Sequence, residues 1–207
     1  MRRGSCLLTL LWLTMAVADG TSAGEGGPVR SLLEMRRERV IVQEWDLSCG
    51  AAALATILHF QHADFVSERE IAQALISREE YLDNPDIVRV RQGFSLLDLK
   101  RYVDGRGYQG VGYGKLDLDD LDGFAPVMLP VSLNGYNHFV VYRGRLGNRV
   151  LLADPAWGNR TMMVDDFEAA WLDYAQFGRV GFVIEDPDEP AARNRLAPRS
   201  SDFVLLR

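Results

Sequence analysis

The sequence has little cysteine, lysine or proline: its 207 residues contain 2 Cys, 8 Pro and only two lysines, Lys100 and Lys115. Neither lysine stands in a phosphate-loop motif, so lysine-centred Schiff-base or phosphate-loop chemistry has few candidates. A positive excess is also missing. The formal net charge is -6, which argues against a chain whose main work is wrapping nucleic-acid phosphates. No segment reaches 18 uninterrupted apolar residues, so no bilayer-spanning helix is expected. There is no internal repeat and no low-complexity bias. What is present, 47% hydrophobic residues with 25% charged, suffices to bury one core, and the length suits a single domain.

The first 23 residues read differently from the rest. Arg2 and Arg3 precede an apolar run from Cys6 to Val17, followed by the small residues Ala16-Val17-Ala18 and Ser22-Ala23. This is the pattern of a secretory signal peptide over 1–23, cut after Ala18 or Ala23. Cleavage after Ala23 removes Arg2, Arg3 and Asp19, taking the charge from -6 to -7. Cys6 goes with it. Cys49 is then the one thiol of a protein sent where disulfides normally form. A lone cysteine ordinarily reads as a small buried hydrophobe, so its surroundings decide.

Beyond the signal, 24–38 reads as an N-terminal lead-in with a short helix over Ser31–Arg37. Residues 39–186 read as the domain, and 187–207 as a flexible tail. The β-branched stretch Arg39–Gln43 is expected as a strand, and the Ala-rich run Cys49–Leu58 as a buried helix opened by Asp46-Leu47-Ser48. Ser67-Glu68-Arg69-Glu70 and, more weakly, Ser95-Leu96-Leu97-Asp98 are capping boxes that open two further helices, one over Ile71–Ile76 and one ending near Gly105 or Gly107. After Gly114 the pattern turns to short β runs, Val127–Leu133, His138–Tyr142, Arg149–Ala153, Arg160–Val164 and Val180–Ile184, with a helix expected over Asp165–Tyr174. Helices first and a strand meander second give an α+β domain, a helical half packed on an antiparallel sheet.

A thiol nucleophile needs an electropositive site and a base, and the first turn of a helix supplies the former through its dipole and free amides. Cys49 holds that position, and Gly50 leaves the approach to its sulfur open. His138, within the apolar run of an expected strand, is the candidate base. Asp154, sixteen residues on at the end of the next strand, could orient the imidazole. Gln43, six residues before Cys49, could donate its amide to an oxyanion together with the Cys49 backbone N–H. Each has a bland alternative alone: a core histidine, an Asp-Pro turn, an idle glutamine. His59, His62 and Asp64 have a spacing that could hold a metal but read better as helix-end residues. No metal or organic cofactor is implied.

Taken in order, Gln43, Cys49-Gly50-Ala51-Ala52, Gly93-Phe94-Ser95-Leu96-Leu97-Asp98-Leu99, His138-Phe139-Val140-Val141 and Asp154-Pro155-Ala156-Trp157-Gly158 resemble the double-glycine peptidases, papain-like cysteine proteases that trim bacteriocin leaders. The resemblance covers Arg39 to Ile184 and implies a papain-like fold. It implies Cys49 as nucleophile, His138 as base, Asp154 as its orienting acid and Gln43 as oxyanion donor. Ser48 departs from it, because the family often carries Asp there. A channel admitting Gly-Gly before the cut is also implied, so the expected partner is a polypeptide with small residues ahead of the scissile bond. An exported, free-standing version is similar to the periplasmic peptidases of functional amyloid secretion systems, which implies a periplasmic location and secretion-system components as possible partners. The residues leave two other readings open: a non-catalytic peptide-binding module of a secretion system, and a papain-like hydrolase of cell-wall peptides.

Overall fold

Ser31 opens the first helix, α1 (Leu32–Arg37), by accepting from the Glu34 amide while the Glu34 carboxylate accepts from the Ser31 amide. The computed structural model describes residues 30–206 apart from 85, 91, 92 and 190–192. The expected signal peptide and Cys6 lie outside the described residues. Four more helices follow α1: α2 (Cys49–His62), α3 (Glu68–Ile76), α4 (Glu79–Asp83) and α5 (Ile87–Val90). Next come α6 (Leu96–Gly105), β1 (Gln109–Tyr113) and α7 (Leu118–Phe124). The meander is β2 (Val127–Leu133), β3 (Tyr136–Leu146), β4 (Arg149–Asp154) and β5 (Gly158–Met163). The chain closes with α8 (Val164–Ala170), β6 (Asp173–Tyr174), β7 (Gly178–Arg179), β8 (Gly181–Glu185) and α9 (Ser200–Leu205).

Strands β1, β8, β2, β3, β4 and β5 form, in that order, one antiparallel sheet. Alternate residues of its strands enter different cores, as the two-residue period of a strand requires. Met128, Val141 and Ala153 meet Leu54, Leu58 and Leu99 of α2 and α6. Their neighbours Leu129, Val140, Tyr142 and Leu152 meet Leu121, Phe167 and Trp171 of the α7 and α8 side. Both faces of β2 and β4 are therefore covered, which explains their unbroken apolar runs. The turn between β2 and β3 is Asn134-Gly135 with φ of 54° and 83°, the left-handed pair that a tight hairpin with right-twisted strands needs. It sets Val131 opposite His138.

Several expectations need correction. Arg39–Gln43 is no strand: Arg39 is a turn residue with φ of 55°, the Ile41 amide donates to the Thr56 hydroxyl and the Gln43 amide to the Pro155 carbonyl, so no ladder forms. The helix expected over Asp165–Tyr174 stops at Ala170. Trp171 bridges Val131, and the Leu172 amide donates to Pro130, so the chain turns along the edge of β2. The end of the chain is not a loose tail. Leu196, Phe203 and Leu206 are buried, α9 forms, and the Thr161 amide donates to the Leu206 carbonyl.

Candidate active site

Cys49 is the first residue of α2, so its backbone N–H and that of Gly50 have no acceptor within the helix and lie at its positive end. No acidic residue stands in that first turn. Gly50 does more than leave the sulfur open. A Cβ there would lie 3.3 Å from Leu99 and 3.3 Å from Phe139, so the missing side chain lets β3 approach α2. Phe139 precedes Val140 in the run that holds His138, so this close packing brings the imidazole to the helix end.

His138 and Asp154 meet across β3 and β4, whose pairing sets Val141 opposite Ala153. The His138 Nε2–H donates to Asp154 Oδ1 at 2.7 Å. Cys49 lines the same two depressions as this ring, and its thiol acts on the imidazole electrostatically. Burial pushes the imidazole pKa down, but the bond to Asp154 and the influence of Cys49 outweigh it and raise it from 6.5 to about 9. Asp154, 2% exposed, is pushed up by burial. The bond from His138 and the Ala156 amide, at 2.9 Å, bring it below the ordinary carboxylate value. Its second oxygen faces Arg160 Nη1 at 3.4 Å.

Gln43 lines the same cleft as Cys49, His138 and Asp154. Its backbone N–H donates to Pro155, beside the acid. One side-chain N–H donates to the Trp45 carbonyl at 2.9 Å, while Oε1 is buried without a partner. That bond fixes the amide plane, and the second N–H has no acceptor among the described residues. Ser48 occupies the N-cap but does not cap. Its hydroxyl is held by the Trp45 carbonyl and by the buried Glu68 carboxylate, which also accepts from the Glu44 amide. The 44–48 loop is thereby tied to α3, an arrangement that the Ser48 departure from an aspartate left unread.

The site opens on two depressions that share Cys49 and His138. One, about 610 Å³, is walled by Gly112, Gly114, Gly181, Pro130, Leu172 and Phe177. The other, about 910 Å³, contains Gln43 and Asp154 with Arg89, Tyr136, Trp157 and Arg160. Sequence reasoning did not single out Arg89 or Arg160, because an arginine carries no local signal of what it faces. His59, His62 and Asp64 stand elsewhere: His59 packs on Phe60 and Phe65, His62 on Tyr108, and Asp64 pairs with Arg106.

A thiol at a helix end shares one cleft with an imidazole bonded to a carboxylate, which is equipment for nucleophilic attack on a carbonyl. The profile of the peptidase C39 family matches residues 37–177. A protein of Pseudomonas aeruginosa described as "Probable functional amyloid protease FapD" is 35% identical over 204 residues, covering 93% of this chain and 88% of its own length. A Pseudomonas fluorescens protein of the same description is 39% identical over 179 residues, covering 83% and 76% respectively. Among solved structures, a double glycine motif protease from an AMS/PCAT transporter, in complex with the leader peptide, aligns with a TM-score of 0.51 at 24% identity, over 70% of this chain and 89% of that one. The peptidase domain of Streptococcus ComA aligns at 0.55 and 17% identity, over 70% and 96%. These two show that the fold is the papain-like one of such peptidase domains.

Proposed function

The chain belongs to the peptidase C39 family and is a cysteine peptidase, and from that premise we propose that Cys49, His138, Asp154 and Gln43 carry the reaction. The Cys49 sulfur, as thiolate, attacks the scissile carbonyl carbon. The negative charge that develops on the carbonyl oxygen is met by the Cys49 N–H and the second N–H of Gln43. The His138 imidazolium gives its proton to the leaving amine, the C–N bond breaks, and a thioester remains on Cys49. Neutral His138 then takes a proton from water, the hydroxide attacks the thioester, and the acid product departs as the thiol is restored. Asp154 holds the ring throughout. The observation that carries this reading is an imidazole bonded to a buried carboxylate in the same cleft as the only described thiol, at the first turn of α2.

The substrate is a polypeptide with small residues before the cut, Gly-Gly above all. Support comes from the glycine- and proline-walled depression beside Cys49 and from a relative solved with a leader peptide. The names of the two Pseudomonas relatives support a component of a functional amyloid system as the natural substrate. With the export pattern of residues 1–23, they also support a periplasmic setting near secretion components. Gly-Gly peptides should be cleaved by the wild type and not by Cys49→Ala, and replacing either Gly with Leu should lower kcat/KM by at least 100-fold. Equal cleavage of the Leu peptides would overturn the small-residue reading. N-terminal sequencing of the protein recovered from its host should begin at residue 19 or 24.

A further inference from the structure

The larger depression differs in chemistry from its neighbour, although both start at Cys49 and His138. Its rim carries two exposed aromatic faces, Trp157 at 55% and Tyr136 at 74% exposure. Trp157 is held rather than loose: its amide donates to the Asp154 carbonyl at 3.1 Å, and the Arg36 guanidinium stacks 4.8 Å from its ring centroid. Two cations line the floor. Arg89, on α5, is exposed and has no carboxylate partner among the described residues. Arg160, on β5, makes one long contact to Asp154, and the rest of its guanidinium fork has no partner among the described residues. Against them stand Asp46, which is exposed, and Asp154, whose charge is committed to His138. Outside the Cys49–His138–Asp154 set, the lining of the cleft carries two cations, Arg89 and Arg160, to one anion, Asp46.

We infer that this cleft holds the polypeptide segment that leaves after the cut, and that Arg89 and Arg160 select a carboxylate side chain in its first two positions. The inference rests on the proposed Gly-Gly cleavage. If the apolar, glycine-walled depression takes the small residues before the scissile bond, the segment after it runs the other way. The other way leads past the imidazole that must protonate the leaving amine, along Asp154, Trp157 and Arg160. An aspartate or glutamate there meets a guanidinium fork suited to carboxylates, between aromatic walls that reduce its contact with water.

The test is a set of peptides sharing Gly-Gly before the cut and carrying Asp, Asn or Lys at the first or second position after it. Asp should exceed its isostere Asn in kcat/KM by about fivefold, the scale of one partly exposed ion pair, and Lys should fall below Asn. In 1 M salt, where screening acts within about 3 Å, the three should converge. Arg89→Gln and Arg160→Gln should each lower the Asp/Asn ratio, a quotient within one variant that cancels any general loss of activity. Equal rates for Asp and Asn in the wild type would overturn the inference alone. So would a ratio unchanged in both variants, or a preference seen only for acids placed before the cut. Failure to cleave any Gly-Gly peptide would instead overturn the cleavage reading, and this inference with it.

Discussion

His138 and Asp154 set the pH behaviour at the scale of single residues, because each holds the other in its charged form inside a buried pair. The imidazole, raised from 6.5 to about 9, contributes stability that is complete below pH 6.5 and is lost as pH climbs through about 9. Asp154 is lowered from 3.8, so its contribution is present above that value and is lost as pH falls through its folded one. Both are in force from about pH 4 to 6.5. Asp154→Asn should lower Tm most in that window, by the equivalent of about 3 kcal/mol for a broken buried pair. By pH 9 the gap to wild type should have nearly closed in a series of thermal melts. A gap that grows from pH 6.5 to 9 would contradict the pairing. The same variant should reduce kcat/KM about 100-fold and move its alkaline limb down from near pH 9.

At the scale of elements, the last segment is a brace between the helical half and the sheet. Gln61 of α2 accepts from the Arg195 amide and donates to the Arg193 carbonyl. Arg143 of β3, 1% exposed, donates to the Leu196 carbonyl and to Asn159. Asn159 in turn donates to the Met35 and Glu38 carbonyls at the end of α1. Gly158 completes the join: its φ is +95°, and a Cβ there would lie 2.4 Å from the Arg36 carbonyl. Ending the chain after Asp186 strips the Leu196 carbonyl from Arg143 and both partners from Gln61, and removes Leu196, Phe203 and Leu206 from the interior. At roughly 1.5–3 kcal/mol per buried side chain, the loss is about 5 kcal/mol. That is a large share of ordinary stability, so Tm should fall by well over 10 °C; an unchanged Tm would refute the brace.

This segment was illegible in the sequence because its anchors, Gln61 and Arg143, are 132 and 53 residues from the carbonyls they bind. Helices with local caps were readable, since Ser67 with Glu70 and Ser95 with Asp98 make their bonds within one turn. The same signal at Asp117 and Asp120, which opens α7, was available and went unread. Strand β1 was hidden by Gly110, whose missing side chain makes room for Phe182 and Val103.

Over the whole molecule, the site lies where the amino end of α2 meets the ends of β3 and β4. The sheet's two covered faces hold those ends in place. Cys49, His138 and Asp154 could be proposed from the sequence because their chemistry and order single them out. Their mutual distances depend on packing at Gly50 and on the β3–β4 pairing, which no local pattern reveals. The charged lining of the larger depression was illegible for the same reason. The central claim is that His138 and Cys49 act as one unit, and it can be tested without a substrate. The measurement is the rate of iodoacetamide alkylation at Cys49, followed by peptide mass mapping at pH 6 in wild type and His138→Ala. The account predicts at least tenfold faster modification in the wild type, because the imidazolium stabilises the reactive thiolate. Equal rates, or a thiol inert in both proteins, would contradict it.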